Sequence, residues 1–93
     1  MKPSEYLEKH EWIKERFEEQ NEEGQCTGVC LVGAIQLACK EDKTNNANNL
    51  THNLHLLCHR KFRHSAFYVN DIILQSKEEA IALLKEVEES YMP

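Results

Sequence analysis

Between His52 and His64 (HNLHLLCHRKFRH) the chain sets four histidines, two arginines and one lysine, with no acidic residue among them. Side chains of these types at this density suit the reception of an anion. Arginine offers a planar fork of donors to a phosphate, lysine a point charge, and histidine a ring N–H. His55, His59, Arg60, Lys61, Arg63 and His64 are the candidate phosphate contacts. Phe67 and Tyr68 follow within a few residues and offer flat rings on which a base can stack. Phosphate and base together describe a nucleotide. Imidazoles as a class change charge near neutrality, so such a site is expected to strengthen as the pH falls toward about 6. The plain alternative is a solvated face that pairs with acidic helices elsewhere in the chain.

The distribution of charge favours the anion site. Residues 1–23 carry eight Glu against four Lys/Arg, and residues 71–93 carry six Asp/Glu against two Lys, so each flank stands at −4. Residues 24–70 carry five Lys/Arg against two acids and stand at +3, within a chain of net charge −5. A cationic middle between anionic flanks marks where a negatively charged partner is received. The overall negative charge argues against non-specific binding to duplex nucleic acid, which needs many phosphate contacts.

Two other chemistries compete for the same residue types. Cys26 and Cys30 on one helical turn, with Cys58-His59 and His55 or His64 to complete four ligands, would make a mixed tetrahedral zinc set. No Cys-x2-Cys pair supports it, and Cys30, Cys39 and Cys58 fall on faces expected to be core, so no metal or other cofactor is assigned. Thiol catalysis would need Cys26 or Cys30 activated by a histidine, oriented by Asn70 or Asp71. No thiol-hydrolase signature surrounds either cysteine, and the expectation is binding without turnover. Asn70-Asp71 reads instead as a turn whose side chains satisfy backbone groups.

Four helices are expected to position these residues. The first spans Ser4 to Glu23, with Tyr6, His10, Ile13 and Phe17 on one face and Gly24 as its stop. The second runs from Thr27 or Gly28 to Glu41 with almost no polar face, so it should be the buried centre, and Gly33 and Ala34 suit a close backbone crossing. An asparagine-rich loop, Lys43 to Asn49, leads to a third helix from Asn49 to Phe62. Leu50, Leu54, Leu57 and Cys58 face inward there, while His52, His55, His59 and Arg63 form a ridge on another face. Ser65 to Gln75 reads as an irregular or briefly extended linker. Ser76-Lys77-Glu78-Glu79 is a capping box that opens the last helix, whose stripe is Ala80, Leu84, Val87 and Tyr91. The fold class expected is therefore all-α, one compact domain (1–93) of four helices around a hydrophobic second helix.

Composition bounds the setting. At 41% hydrophobic and 29% charged the chain is an ordinary globular one. Its longest apolar stretch, Val29 to Ala38, falls well short of the roughly 20 residues of a bilayer span. The acidic N-terminal residues do not form a signal peptide, so a cytoplasmic location with free thiols is expected.

Three features, taken in order, carry a family resemblance: Cys30-Leu31-Val32-Gly33-Ala34-Ile35, then Asn70-Asp71, then the capped segment Ser76 to Tyr91. With the Trp12 segment before them, they resemble a family of small helical proteins of unknown function found in phages and actinobacteria. The family pattern has tryptophan where this chain has Val69, and glycine where it has Glu11. The resemblance implies a helical fold and a viral setting, hence a host cytoplasm. Residues and resemblance together suggest a phage accessory protein that sequesters an anionic small molecule, such as a nucleotide signal of host immunity, with a homodimer helping to enclose it. The alternative is an inhibitor whose acidic helices, Glu5–Glu23 and Glu78–Glu89, engage a basic host protein.

Overall fold

In a computed structural model, which describes residues 1–43 and 46–91 (Tyr91 by its backbone only), the chain is mixed α/β rather than an all-α bundle of four helices. The order is α1 (Pro3–Glu8), β1 (Glu11–Trp12), β2 (Glu18–Gln20), β3 (Cys26–Val29), α2 (Leu31–Glu41), α3 (Ala47–Phe62), α4 (Ala66–Tyr68) and α5 (Lys77–Tyr91). A π-helical turn, Val69–Ile73, continues α4. Among the described residues no helix is long and apolar enough to cross a membrane.

The expected first helix is where structure and sequence pattern part. Proline at its first position and Glu5 accepting from the Lys2 amide at 2.8 Å start α1, but it closes after six residues. Beyond it the backbone is held by partners distant in sequence. The Ile13 amide donates to the Val29 carbonyl at 3.0 Å, and the Glu15 amide to Asp71 Oδ1 at 3.0 Å. Glu15 takes a left-handed φ of 69°, which no helix tolerates. The sheet has the order β1-β3-β2: Trp12 lies opposite Val29 in the parallel pair, and Glu18 opposite Val29 in the antiparallel one. Thr27 is the extra residue of a bulge between Gln20↔Cys26 and Glu19↔Gly28. The β2–β3 turn is built by Asn21, whose Oδ1 accepts from the Glu23 and Gln25 amides at 3.0 Å each, and by Gly24 at φ +80°.

The second helix is the buried centre, as its sequence implies, though it starts at Leu31 after a strand rather than at Thr27 or Gly28. Leu31, Ala34, Ile35 and Ala38 share one core with Leu7 of α1, Leu54 and Cys58 of α3, and Leu84 and Val87 of α5. The close crossing at Gly33 is real, but its partner is the turn that leads into β2. A Cβ on Gly33 would stand 1.9 Å from the Phe17 carbonyl oxygen, so only glycine admits that backbone.

In α3, Leu50, Leu54, Leu57 and Cys58 are buried as the pattern requires. The helix opens at Ala47, earlier than Asn49, and part of the expected asparagine loop (44–45) lies outside the described residues. Residues 66–73 are helical rather than extended, capped by Ser65, whose Oγ accepts from the Tyr68 amide at 3.3 Å. At α5, Ser76 Oγ accepts from the Glu79 amide at 3.3 Å, but Glu79 reaches back to the Gln75 amide at 2.7 Å instead of to Ser76. The Tyr91 side chain, expected in the α5 stripe, is not among those described.

Candidate functional site

Helical geometry puts His52, His55 and His59 on one outward strip of α3, with Leu56 and Arg60 beside them and Arg63 following as the C-cap residue. His52, Leu56, His59, Arg60 and Arg63 are exposed and His55 is half-buried. Among the described residues, neither Arg60 nor Arg63 forms an ion pair with a carboxylate. Arg63 closes the helix in the left-handed conformation, φ 61°, with its amide donating to the His59 carbonyl at 3.0 Å.

Lys61 does not join the strip. It points to α5, where its Nζ meets Glu86 Oε1 at 2.6 Å. His64 has left the helix and stacks on Tyr68, with ring centroids 4.2 Å apart. His55 is committed inward on one side: its Nδ1 accepts from the Ala66 amide at 3.4 Å, which fixes the neutral ring with its proton on Nε2. Burial, then the neighbouring His59 and His52, lower its pKa. The eight expected contacts thus divide. His55, His59, Arg60 and Arg63 share a surface, His64 and Tyr68 form a stacked pair after the helix, Phe67 bridges to a cleft, and Lys61 stands apart.

That cleft, of about 270 Å³, was not legible in the sequence. Phe67 reaches it with one edge toward His55 (centroids 5.5 Å) and another toward Phe17 (5.8 Å). Both phenyl rings are nearly half exposed, and Leu31, Val32 and Ala66 continue the apolar wall. Glu15, Arg16 and Asp71 supply its charge.

Asn70 forms the floor and is fully bonded. Its Oδ1 accepts from Trp12 Nε1 at 2.7 Å and from the Leu31 amide at 3.2 Å, while its Nδ2 donates to the Ile13 carbonyl at 3.1 Å and to Asp71 Oδ1 at 2.9 Å. One buried side chain thereby joins β1, the first turn of α2 and the π-turn, in the structural role expected of it. The signal for this partnership was Trp12 itself, since a half-buried indole N–H needs an acceptor.

Cys30 also lines the cleft as the N-cap of α2, its Sγ accepting from the Gly33 amide at 3.3 Å. Burial raises its pKa although the Gly33 and Val32 amides act the other way. Burial likewise pushes the Cys58 thiol up to about 11. Thiols held protonated in this way are poor nucleophiles and poor metal ligands. Cys26 lies in β3 and Cys30 caps α2, so they do not share the helical turn that the zinc set required. Among the described residues no group of three or more His, Cys, Asp or Glu side chains is placed to hold a metal.

With this geometry in place, comparison with protein families gives one result. Residues 3–90 match the model of a family of unknown function, DUF6197. The chain belongs to this family. The match takes in α1, the three-stranded sheet, α2 to α4 and nearly all of α5, so the residues of the α3 strip and of the cleft lie within the matched segment. Comparison with curated proteins and with solved structures finds no match.

Proposed function

We propose that this protein binds an anionic small ligand, a nucleotide being the chemistry that suits it, without turning it over. One observation carries the reading. His59, Arg60 and Arg63 are exposed at the C-terminal end of α3, neither arginine has a carboxylate ion-pair partner among the described residues, and Phe67 and Tyr68 follow as two exposed aromatic rings. Unpaired guanidinium groups are the strongest phosphate donors a surface can offer. Lys61, held by Glu86, is not part of the site. The exposed helix face meets a ligand on one side only, so a second copy of the chain enclosing it belongs to the proposal. So do the phage or actinobacterial origin suggested by the Cys30–Ala34 and Asn70-Asp71 motifs, and the role of sequestering a host signal.

The alternative, an acidic surface turned to a basic protein, finds less support. Several of its carboxylates already have internal partners: Glu88 is buried on Ser4, Glu86 holds Lys61, and Glu5 and Glu79 cap backbone amides.

Thermal unfolding with a panel of linear and cyclic nucleotides tests the proposal. Ligand binding to the native state raises the melting temperature by linkage, and Arg60→Ala with Arg63→Ala should abolish the rise while leaving the unliganded transition in place. A full rise retained in the double variant would exclude the α3 strip.

A further inference from the structure

The phosphate-binding strip and the cleft meet at Phe67, whose ring touches His55 on one side and Phe17 on the other. Their polar chemistry is opposite. The strip offers donors and positive charge. The cleft offers acceptors: Asp71 Oδ1 already takes the Glu15 amide and Asn70 Nδ2, which leaves Asp71 Oδ2 for a ligand, and the Glu15 carboxylate lies alongside. Donors are scarce there. The Leu31 amide is bonded to Asn70, the Gly33 amide to Cys30, and both protons of the Asn70 amide group are taken. Arg16, 63% exposed, leans toward Glu19 at 3.8 Å. A phosphate would therefore be repelled from the cleft and held on the strip.

The apolar walls and the acceptors suit a flat ring that carries N–H donors on its edge. A volume of about 270 Å³ is just below the range of roughly 300–1,000 Å³ typical of whole drug-sized ligands, and so suits a single ring system better than an entire nucleotide. The geometry points to this cleft as the seat of an amino-bearing nucleobase, stacked on Phe67 with Phe17, inclined at 64° to it, meeting the base at its edge, and with its exocyclic amino group toward Asp71, while its phosphate reaches the α3 strip. The inference rests on the nucleotide reading given above and adds base selectivity to it. His59, Arg60 and Arg63 follow His55 by about 6, 7.5 and 12 Å along the helix axis, so the phosphate donors begin about one helical turn from the base site.

Cytosine and uracil separate the possibilities, because the exocyclic amino donor of cytosine is a carbonyl acceptor in uracil, while the neighbouring ring nitrogen N3 changes the other way, from acceptor to N–H donor. Calorimetric titration of the full chain with CMP, UMP, ribose 5-phosphate and inorganic phosphate should show CMP bound at least about tenfold more tightly than UMP, the usual discrimination of a matched base-edge contact. Phe67→Ala should weaken CMP about tenfold through lost stacking and leave inorganic phosphate unchanged. Asp71→Asn should abolish the preference for CMP over UMP, and it retains an oxygen for the Glu15 amide. Equal affinity for CMP, UMP and ribose 5-phosphate, all lost in Arg60→Ala with Arg63→Ala, would overturn the base cleft and leave the strip standing. If no phosphate compound binds, the strip fails, and cytidine against uridine still tests the cleft: a preference for cytidine that Asp71→Asn removes supports it, and equal or absent binding refutes it.

Discussion

The cationic strip of α3 and the acidic faces of α1 and α5 are both densely charged, yet their charges have different fates. On the acidic side, Glu88 is 5% exposed and accepts from the Ser4 amide at 2.7 Å and the Ser4 hydroxyl at 2.8 Å, fastening α5 to α1. Glu8 faces Lys85 at 3.9 Å, and Glu86 holds Lys61 at 2.6 Å. On α3, Arg60 and Arg63 have no such partners among the described residues. Charge counted along a sequence thus does not separate groups that hold the fold from groups left exposed without a partner among the described residues. The hydrogen-bond partner does.

The comparison can be broken most forcefully at Glu88. Glu88→Ala removes the acceptor of both the Ser4 amide and the Ser4 hydroxyl, and hydrogen bonds to a charged group are worth about 1.5–3 kcal/mol each. We expect a loss of roughly 3 kcal/mol in urea unfolding, with phosphate affinity unchanged. Arg60→Ala with Arg63→Ala should give the opposite pattern: stability within about 0.5 kcal/mol of the parent, and phosphate affinity reduced at least about tenfold, the value of one charge-assisted contact. Lys61→Ala sharpens the boundary between the two regions. An exposed pair of this kind contributes no more than about 1 kcal/mol, and ligand affinity should not change.

The smallest effect concerns pH. The folded state lowers the pKa of His55, chiefly by burial, so the unfolded chain binds its proton more readily. Stability from this group is present at neutral pH and is lost as the pH falls below the unfolded value of about 6.5. Replacing His55 by Gln should flatten the stability profile in that window, read by urea midpoints between pH 7 and 5. Nearby His52 and His59 add repulsion in the same direction, and no carboxylate is among the groups that shift it.

The helices that build the core were legible because their side-chain pattern is also their packing pattern. Leu50, Leu54, Leu57 and Cys58 recur at helical spacing and are buried at that spacing, and in α2 the apolar run Leu31–Ile35 with Ala38 and Cys39 is buried while Gln36, Lys40 and Glu41 are exposed. Residues 11–29 were not legible for the converse reason. Tyr6, His10, Ile13 and Phe17 also recur at helical spacing, but from Ile13 to Phe17 the backbone is bonded to Val29, Asn70, Asp71 and Cys30, up to 57 residues away. Local periodicity carries no trace of such partners. One local signal did exist: Asn21 followed by Gly24 is hairpin-turn chemistry, read in the sequence as a helix stop. The strip on α3 was legible as a face, but the diversion of Lys61 to Glu86 was not, and the cleft depends on the misread segment for Glu15 and Phe17.

The most direct test tracks backbone and imidazole resonances of isotopically labelled protein during titration with CMP. Shifts should be confined to α3 from His55 to Arg63 and to Phe17, Phe67 and Asp71, with the Ser4–Glu88 region still. Shifts centred on α1 and α5, or spread evenly over the surface, would contradict the assignment of the uncommitted cations to ligand binding.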